Sequence, residues 1–158
     1  MIRRYAEECD NIVEFGVWRA HGSTWALLAG KPTSMTSVDI SYHPNIEQVR
    51  EAAKREGIDY HFVLGDSATM EIPPCDLLFI DSRHTYKQMT KELLAHSLMV
   101  ESYIIMHDTV TSWDVDLSTG EEGIGRAIDE FIERHEKAWE VKEHATNQHG
   151  LMVLERTT

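Results

Sequence analysis

Two short motifs in the second half of the chain combine carboxylates with imidazoles. Asp81-x-x-His84 follows one apolar run, and His107-Asp108 ends the next such run. If these runs are neighbouring parallel strands, Asp81 and Asp108 leave adjacent strand ends that lie roughly 5 Å apart. Two carboxylates that close repel each other unless a proton or a cation lies between them. The spacing therefore predicts a site that binds a divalent cation.

The types of ligand bear on which metal would bind and on proton transfer. Carboxylates with open positions suit Mg²⁺, which keeps water molecules and accepts substrate oxygens. A ring nitrogen of His107 as third ligand would shift the preference toward manganese, iron or zinc. Alternatively, His107 orients its neighbours. His84 is predicted to be a general base, because the ordinary pKa of histidine lies near neutrality and a metal would acidify a neighbouring hydroxyl.

The first half of the chain carries residues that suit a nucleoside ligand. Asp39 ends a predicted strand and follows Gly16 at close to the roughly 20-residue offset at which an acid accepts the hydroxyls of a ribose. Asp66, with Ser67 beside it, ends the next strand and is placed to accept a hydrogen bond from an adenine amino group. A capping or loop role is the alternative for either aspartate.

The turn after the first strand lacks the glycine spacing that binds a pyrophosphate. It reads Glu14-x-Gly16-x-x-x-Ala20-x-Gly22-Ser23, which is more open and suits a ligand without phosphate. Backbone N–H groups near Gly22 and Ser23 can meet the carboxylate of an amino acid, and Glu14 can bind its ammonium directly or through water. A tight strand-to-helix turn without any ligand is the alternative.

Alternating apolar and helical segments predict the scaffold that positions these residues. Five apolar runs with an acid at or near their ends alternate with helical patterns, which predicts parallel strands joined by right-handed crossovers. The runs are 12–16, 36–40, 61–64, 76–81 and 102–108. The helical patterns are 23–30, 44–56, 86–100 and 125–138. Two further runs, 139–144 and 150–155, are joined too closely for a crossover helix and should be antiparallel.

The predicted fold is therefore α/β and Rossmann-like. It is a doubly wound, mostly parallel seven-stranded sheet with a C-terminal antiparallel hairpin strand. We expect one domain over residues 1–158, because no repeat, linker or low-complexity tract interrupts the pattern. Ligands bind such sheets at the carboxyl ends of the strands, which is where the residues singled out above are predicted to lie.

Composition limits the classes of partner. A net charge of -12 disfavours nucleic acid, because binding its phosphates needs clustered lysine and arginine. No apolar run is long enough to span a membrane, and the first residues lack the apolar core of a signal peptide, so we expect a cytoplasmic protein. Cys9 and Cys75 form no disulfide framework, and Cys75 is predicted to be a buried thiol.

Residues outside these motifs are expected to be structural. Trp113, in the polar segment 109–122, is predicted either to contact a ligand as part of a lid or to pack against the domain. Helical spacing predicts core positions for Leu93, Leu94, Leu98 and Met99. The remaining histidines are expected at the surface or in packing: His21, His43, His61, His96, His135, His144 and His149.

These segments together resemble class I S-adenosylmethionine-dependent methyltransferases, from about residue 11 to residue 155. The cofactor motifs of that family are similar to the segments 13–24, 38–39 and 65–67 of this chain. A metal-dependent branch, which includes macrolide and rhamnosyl O-methyltransferases and cephalosporin hydroxylase-like proteins, is similar to segments 78–86, 105–109, 123–131 and 150–154.

The resemblance implies transfer of a methyl group from S-adenosylmethionine to a small hydroxylated acceptor. Asp81 and Asp108 would bind the metal, magnesium in the first place, and His84 would take the acceptor's proton. His107 stands where some members have an acidic ligand, and Ala20 where a glycine is usual. The expected cofactor-binding residues are Glu14, Gly16, Gly22, Ser23, Asp39, Asp66, Ser67 and Asp81, and the expected metal ligands are Asp81, His107 and Asp108.

Other functions stay open at this point. The chain lacks the extra N-terminal helices that often cover the acceptor in this family, so we expect an open site or one completed by a second subunit in a homo-oligomer. A methyltransferase without metal is one alternative. A non-catalytic module that binds S-adenosylmethionine or its demethylated product is another. A nicotinamide oxidoreductase is disfavoured by the first turn. The acceptor can be a sugar, a polyketide or a phenol.

Overall fold

A mixed seven-stranded sheet organises the chain, of which a computed structural model describes residues 1–157. The strands are β1 (Asn11–Phe15), β2 (Ser34–Asp39), β3 (Asp59–Leu64), β4 (Cys75–Ile80), β5 (Val100–His107), β6 (Trp139–Ala145) and β7 (Leu151–Arg156). The helices are α1 (Ile2–Ala6), α2 (Ser23–Leu28), α3 (Ile46–Glu56), α4 (Tyr86–His96) and α5 (Gly125–Arg134), and a 3₁₀ turn spans Ser97–Met99.

The order of the strands confirms the predicted fold class. It is β3-β2-β1-β4-β5-β7-β6, with parallel pairing from β3 through β5. β7 lies between β5 and β6 and is antiparallel to both. The chain leaves the sheet centre in one direction after β1 and in the other after β4. Such a reversal opens a crevice at the carboxyl ends of the central strands.

Two apolar layers cover the two faces of the sheet. β4 contributes to both, because its alternate side chains point to opposite faces. Leu77 and Phe79 pack with α1, α2 and α3, whereas Leu78 and Ile80 pack with α4 and α5. All four are at most 1% exposed, as expected of a central parallel strand. The buried strand therefore holds Asp81, the residue that follows it, at a defined place.

Several local predictions differ from the structure. α4 ends at His96 and α5 at Arg134, earlier than the patterns indicated, and α1 was not predicted. Leu93 is buried as predicted and Met99 is partly buried. Leu94 is exposed because α4 packs only one side against the sheet, and Leu98 is exposed in the 3₁₀ turn that follows α4. Cys9 and Cys75 are buried free thiols. Within residues 1–157, none of the helices combines the length and the apolar character that a membrane crossing requires.

The segment 109–122 packs back onto the start of α5. A bridge between Val115 and Glu122 closes the segment, and Trp113 lies directly against Gly125. A β-carbon added to Gly125 would lie 2.5–2.6 Å from atoms of the Trp113 ring. Gly125 is the first residue of a helix, where glycine has no intrinsic advantage over alanine. Packing of the tryptophan is therefore the reason that a glycine fits here.

We expect Gly125→Ala to lower the free energy of unfolding by about 1–3 kcal/mol, because overpacking against the ring outweighs the better helix propensity of alanine. Urea denaturation of the variant measures the change. In a Trp113→Ala background the same substitution should be neutral or stabilising. An equal cost in both backgrounds would show that the ring is not the cause.

Candidate active site

A cavity of about 1000 Å³ opens at the carboxyl edge of the sheet, where the strand order reverses between β1 and β4. Its size falls in the range of sites for small ligands and cofactors. The five parallel strands all contribute to its wall through the residues at or just after their ends. Eight of the predicted site residues line it: Gly16, Asp39, Asp66, Ser67, Asp81, His84, His107 and Asp108.

The other predicted cofactor residues, Glu14, Gly22 and Ser23, are not among the residues that line the cavity. Glu14 is fully buried in β1. Its Oε1 accepts hydrogen bonds from Ser23 Oγ at 3.0 Å and Thr24 Oγ1 at 2.9 Å, and its Oε2 accepts from Ser37 Oγ at 2.7 Å. The carboxyl group thus ties the start of α2 to β1 and β2 and supports the turn from behind.

Burial of Glu14 has an electrostatic consequence. Loss of solvation raises the pKa of its carboxyl to about 7, although the three hydroxyl donors oppose the shift. A buried charge without a cationic partner is costly, so the proton is retained at pH values where an exposed glutamate has lost it. Glu14 is therefore a pH-sensitive support of the turn.

Asp39 holds the other side of the turn. Its Oδ2 accepts from the backbone N–H groups of Val17 at 2.8 Å and Trp18 at 2.7 Å. Its Oδ1 accepts from the backbone N–H and the hydroxyl of Ser41. Gly16 has a φ of +82°, and an added β-carbon would lie 2.0 Å from the Asp81 carbonyl oxygen. The close approach of β1 to the end of β4 therefore requires glycine at this position.

A buried polar network beneath Asp66 and Ser67 was missed by the sequence analysis. Glu92, fully buried on α4, accepts hydrogen bonds from the hydroxyls of Ser67 and Ser82 and from Gln88 Nε2 at 3.0 Å. Burial raises the pKa of Glu92, against the effect of these donors. Its position beside the buried Leu93 on the sheet side of α4 is the signal that could have revealed it.

Asp81 and Asp108 converge as predicted, because β4 and β5 are neighbours. His84 Nε2 lies 3.1 Å from Asp81 Oδ1 and 3.1 Å from Asp108 Oδ2. His107 Nδ1 lies 3.3 Å and 3.2 Å from the same two oxygens. These four side chains are 16–27% exposed. Each carboxylate therefore contacts both imidazoles within one partly buried cluster.

Charge compensation explains how two carboxylates share this space. Hydrogen bonds with Asp108 and Asp81 raise the pKa of His107 to about 10. Burial opposes ionisation of Asp108, but hydrogen bonds from His107 and Thr111 lower its pKa to about 2. Burial likewise opposes a charge on His84, but the hydrogen bond with Asp81 and the charge of Asp108 raise its pKa. Contact with the two imidazoles thus compensates the charges of the two carboxylates.

The same cluster offers donors to a metal ion. One ligand atom each of Asp81, His107 and Asp108 lies within 4.8 Å of the other two. Two carboxylate oxygens and one imidazole nitrogen form a donor set that suits a divalent first-row ion or Mg²⁺. Asp108 has a φ of +57°, a left-handed conformation that is uncommon outside glycine and often found at functional sites.

The segment 109–122 and the β6–β7 connection form the remaining wall. Ser112, Asp116 and Leu117 line the cavity, whereas Trp113 packs against Gly125. His149, expected to be structural, also lines it, and its Nδ1 lies 4.0 Å from Asp108 Oδ1. An antiparallel strand begins where its parallel neighbours end, so the loop before β7 had to lie at this edge. That reasoning could have identified His149.

The chain forms a Rossmann-like α/β fold with a cavity at the switch point of its sheet. The chain belongs to the family described as "Methyltransferase domain", whose profile matches residues 13–109. That range contains every residue predicted above for the cofactor, the metal and the base. A comparison with curated protein sequences gives no significant match.

Solved methyltransferase structures share the fold. An O-methyltransferase from Bacillus cereus in complex with SAH is 15% identical in sequence, with a TM-score of 0.68. The match covers 99% of this chain and 79% of that chain. The SAH-bound methyltransferase PaMTH1 from Podospora anserina is 18% identical, with a TM-score of 0.60, and the match covers 99% of this chain and 76% of that chain. The N-methyltransferase NodS from Bradyrhizobium japonicum is 15% identical, with a TM-score of 0.65, and the match covers 99% of this chain and 92% of that chain.

We expect Glu14→Gln to remove a pH dependence of stability. Because the pKa of Glu14 is about 7 in the folded protein and about 4.5 when unperturbed, the folded state binds more protons between these values. The contribution of Glu14 to the free energy of unfolding therefore falls, by on the order of 2–3 kcal/mol, as the pH rises from about 4.5 to about 7, and it is constant above.

Urea denaturation of the wild type and the variant between pH 4.5 and pH 8 measures this difference. Gln can keep the contacts of Glu14, because its amide oxygen accepts and its amide nitrogen donates to a hydroxyl. Glu71→Gln, at an exposed position, is the matched control and should follow the wild type. Parallel curves for the wild type and Glu14→Gln would contradict the assignment.

Proposed function

We propose that the protein is an S-adenosylmethionine-dependent methyltransferase that methylates a hydroxyl group of a small molecule with the help of a divalent metal ion. One observation carries the proposal. The strand-end aspartates suited to a nucleoside, Asp39 and Asp66, face the same cavity as the acid–imidazole cluster of β4 and β5. Membership of the methyltransferase family and the fold shared with two SAH-bound methyltransferases support the choice of cofactor.

The cavity fits a cationic nucleoside. Oδ2 of Asp39 holds the turn, whereas its Oδ1 accepts from the exposed Ser41. Oδ1 can therefore accept hydrogen bonds from ribose hydroxyls in place of those from Ser41. Gly16 lines the cavity and permits the close approach of β1 to Asp81. The charged lining consists of five aspartates and one arginine besides the histidines, which favours a sulfonium and an ammonium. When bound, S-adenosylmethionine supplies an electrophilic methyl group on a good leaving group.

Asp81, His107 and Asp108 would hold the metal ion. The ion supplies Lewis acidity that lowers the pKa of the acceptor hydroxyl, and the nitrogen of His107 favours manganese, iron or zinc over magnesium. A cation on Asp81 and Asp108 also cancels the negative charge that favours a proton on His84. With such an ion in place, His84 would be free to act as the base.

The position of His84 in the cavity wall supports its assignment as the general base. Its ring contacts both Asp81 and Asp108, and it lines the same cavity as Ser112 and Leu117. Proximity and alignment of the acceptor oxygen with the methyl group supply much of the acceleration. The acceptor oxygen would form its bond to the methyl carbon as the bond from sulfur to that carbon breaks and SAH leaves, and His84 Nε2 would take the acceptor's proton.

Calorimetric titration tests the cofactor assignment. We expect the wild type to bind S-adenosylmethionine and SAH, and Asp39→Ala to weaken binding about tenfold or more, because the ribose contact and the support of the turn are both lost. Asp59→Ala is the matched control, since Asp59 is exposed at the opposite end of the adjacent strand β3. Absence of binding to the wild type would contradict the proposal.

Chelation tests the metal and substitution tests the base. With methyl-labelled S-adenosylmethionine and a panel of phenols, sugars and polyketides, exhaustive chelation should abolish transfer, and Mn²⁺ or Mg²⁺ should restore it. His84→Ala should lower turnover about 10²–10⁴-fold while SAH affinity stays nearly constant. His61→Ala, at an exposed position, is the control.

Each component of the proposal fails on a different result. Transfer that survives chelation would favour a metal-independent methyltransferase. Unchanged turnover in His84→Ala would remove His84 from the mechanism. Tight cofactor binding without transfer to any acceptor would favour a non-catalytic binding module.

A further inference from the structure

We propose that the amide oxygen of Gln88 accepts a hydrogen bond from the amino group of the cofactor's adenine and that the buried Glu92 sets the orientation of the Gln88 amide. The proposal rests on the proposed function and deepens it, because it assigns the residues that select the base of the nucleoside. Gln88 would touch the ligand, whereas Glu92 acts through Gln88 and is a positioning residue.

The donors around Glu92 all point toward its carboxyl group. Ser82 Oγ donates to Oε1 at 2.7 Å and to Oε2 at 2.9 Å, Ser67 Oγ also donates to Oε1, and Gln88 Nε2 donates to Oε1 at 3.0 Å. Because the Ser67 proton is directed at Glu92, its oxygen accepts from Gln88 Nε2 at 3.2 Å. The three oxygens around Nε2, on Glu92, Ser67 and Asp66, favour this orientation of the Gln88 amide.

That orientation leaves the amide oxygen of Gln88 as an acceptor. Nε2 of Gln88 turns inward to Glu92, Ser67 and Asp66, so Oε1 occupies the other branch of the amide. Asp66 Oδ1 accepts from the Ala68 N–H at 2.9 Å and from Gln88 at 3.3 Å. Within the described part of the chain, neither Gln88 Oε1 nor Asp66 Oδ2 has a hydrogen-bond partner. Both residues line the cavity.

Two neighbouring acceptors match the two hydrogens of an exocyclic amino group. Asp39 ends β2, and Asp66 follows the end of the adjacent β3. A ribose bound at Asp39 would therefore have its base within reach of Asp66. Adenine can donate to Asp66 and Gln88 together. A base with a carbonyl at the same position, such as hypoxanthine, would place a third acceptor against these two, which costs affinity.

A purely structural role for this network would give a different result. Glu92 also links α4 to the segments after β3 and β4 through Ser67 and Ser82, so its loss is expected to lower stability in any case. Stability alone therefore does not test the proposal. The ratio of affinities for ligands that carry an amino or a carbonyl group on the base does test it. A change in the packing of α4 alone would not alter this ratio.

Calorimetric titration with SAH and with S-inosylhomocysteine, its hypoxanthine analogue, measures this discrimination. We expect the wild type to bind SAH at least about tenfold more tightly. Gln88→Leu, which keeps the bulk but removes the acceptor, should lower the ratio at least about threefold. Glu92→Gln, which can donate and lets the Gln88 amide reverse, should lower it as well. Lys91→Gln, on the exposed side of α4, should leave it unchanged.

The outcomes separate this inference from the proposed function. An unchanged ratio in Gln88→Leu, with SAH still bound, would overturn the assignment of Gln88 and leave the cofactor assignment intact. A reduced ratio in Gln88→Leu but not in folded Glu92→Gln would overturn the positioning role of Glu92. If Glu92→Gln does not fold, Gln88→Leu still decides the assignment of Gln88. No binding of SAH to the wild type would overturn both proposals.

Discussion

Repulsion between Asp81 and Asp108 is the constraint around which the candidate site is built. The sheet brings the two carboxylates together because β4 and β5 are neighbours, and both side chains are largely shielded from water. His84 and His107 compensate them, each within 3.3 Å of both. A cluster that needs positive charge in this way is suited to exchange its protons for a divalent cation.

Two further acids, Glu14 and Glu92, support the cavity without taking part in this cluster. Each is buried and is satisfied mainly by hydroxyl groups. Glu14 anchors the turn after β1, and Glu92 anchors the segments that carry Ser67 and Ser82. Buried polar networks of this kind specify one arrangement of the groups around them, because an unpaired member would be costly. Both sides of the cavity thus have an internal support.

Residue patterns were sufficient to predict which strand ends meet. Parallel strands end at one edge, so acids at the ends of consecutive apolar runs had to share a crevice, and Asp39, Asp66, Asp81 and Asp108 all line the cavity. The pattern was not sufficient to tell a lining acid from a buried one. Glu14 also lies at the end of a strand, but its side chain points into the protein, since the direction of a side chain depends on the packing of both faces.

The sequence by itself determined the alternation of strands and helices, the Rossmann-like class and the carboxyl edge as the place of the site. These depend on hydrophobic periodicity, which is a local property of the chain. Only the tertiary structure decided that β7 brings His149 to the cavity, that Glu92 lies beneath Ser67, and that His84 contacts both carboxylates. These contacts join segments distant in sequence, and they exist only when the whole sheet and its helices pack together.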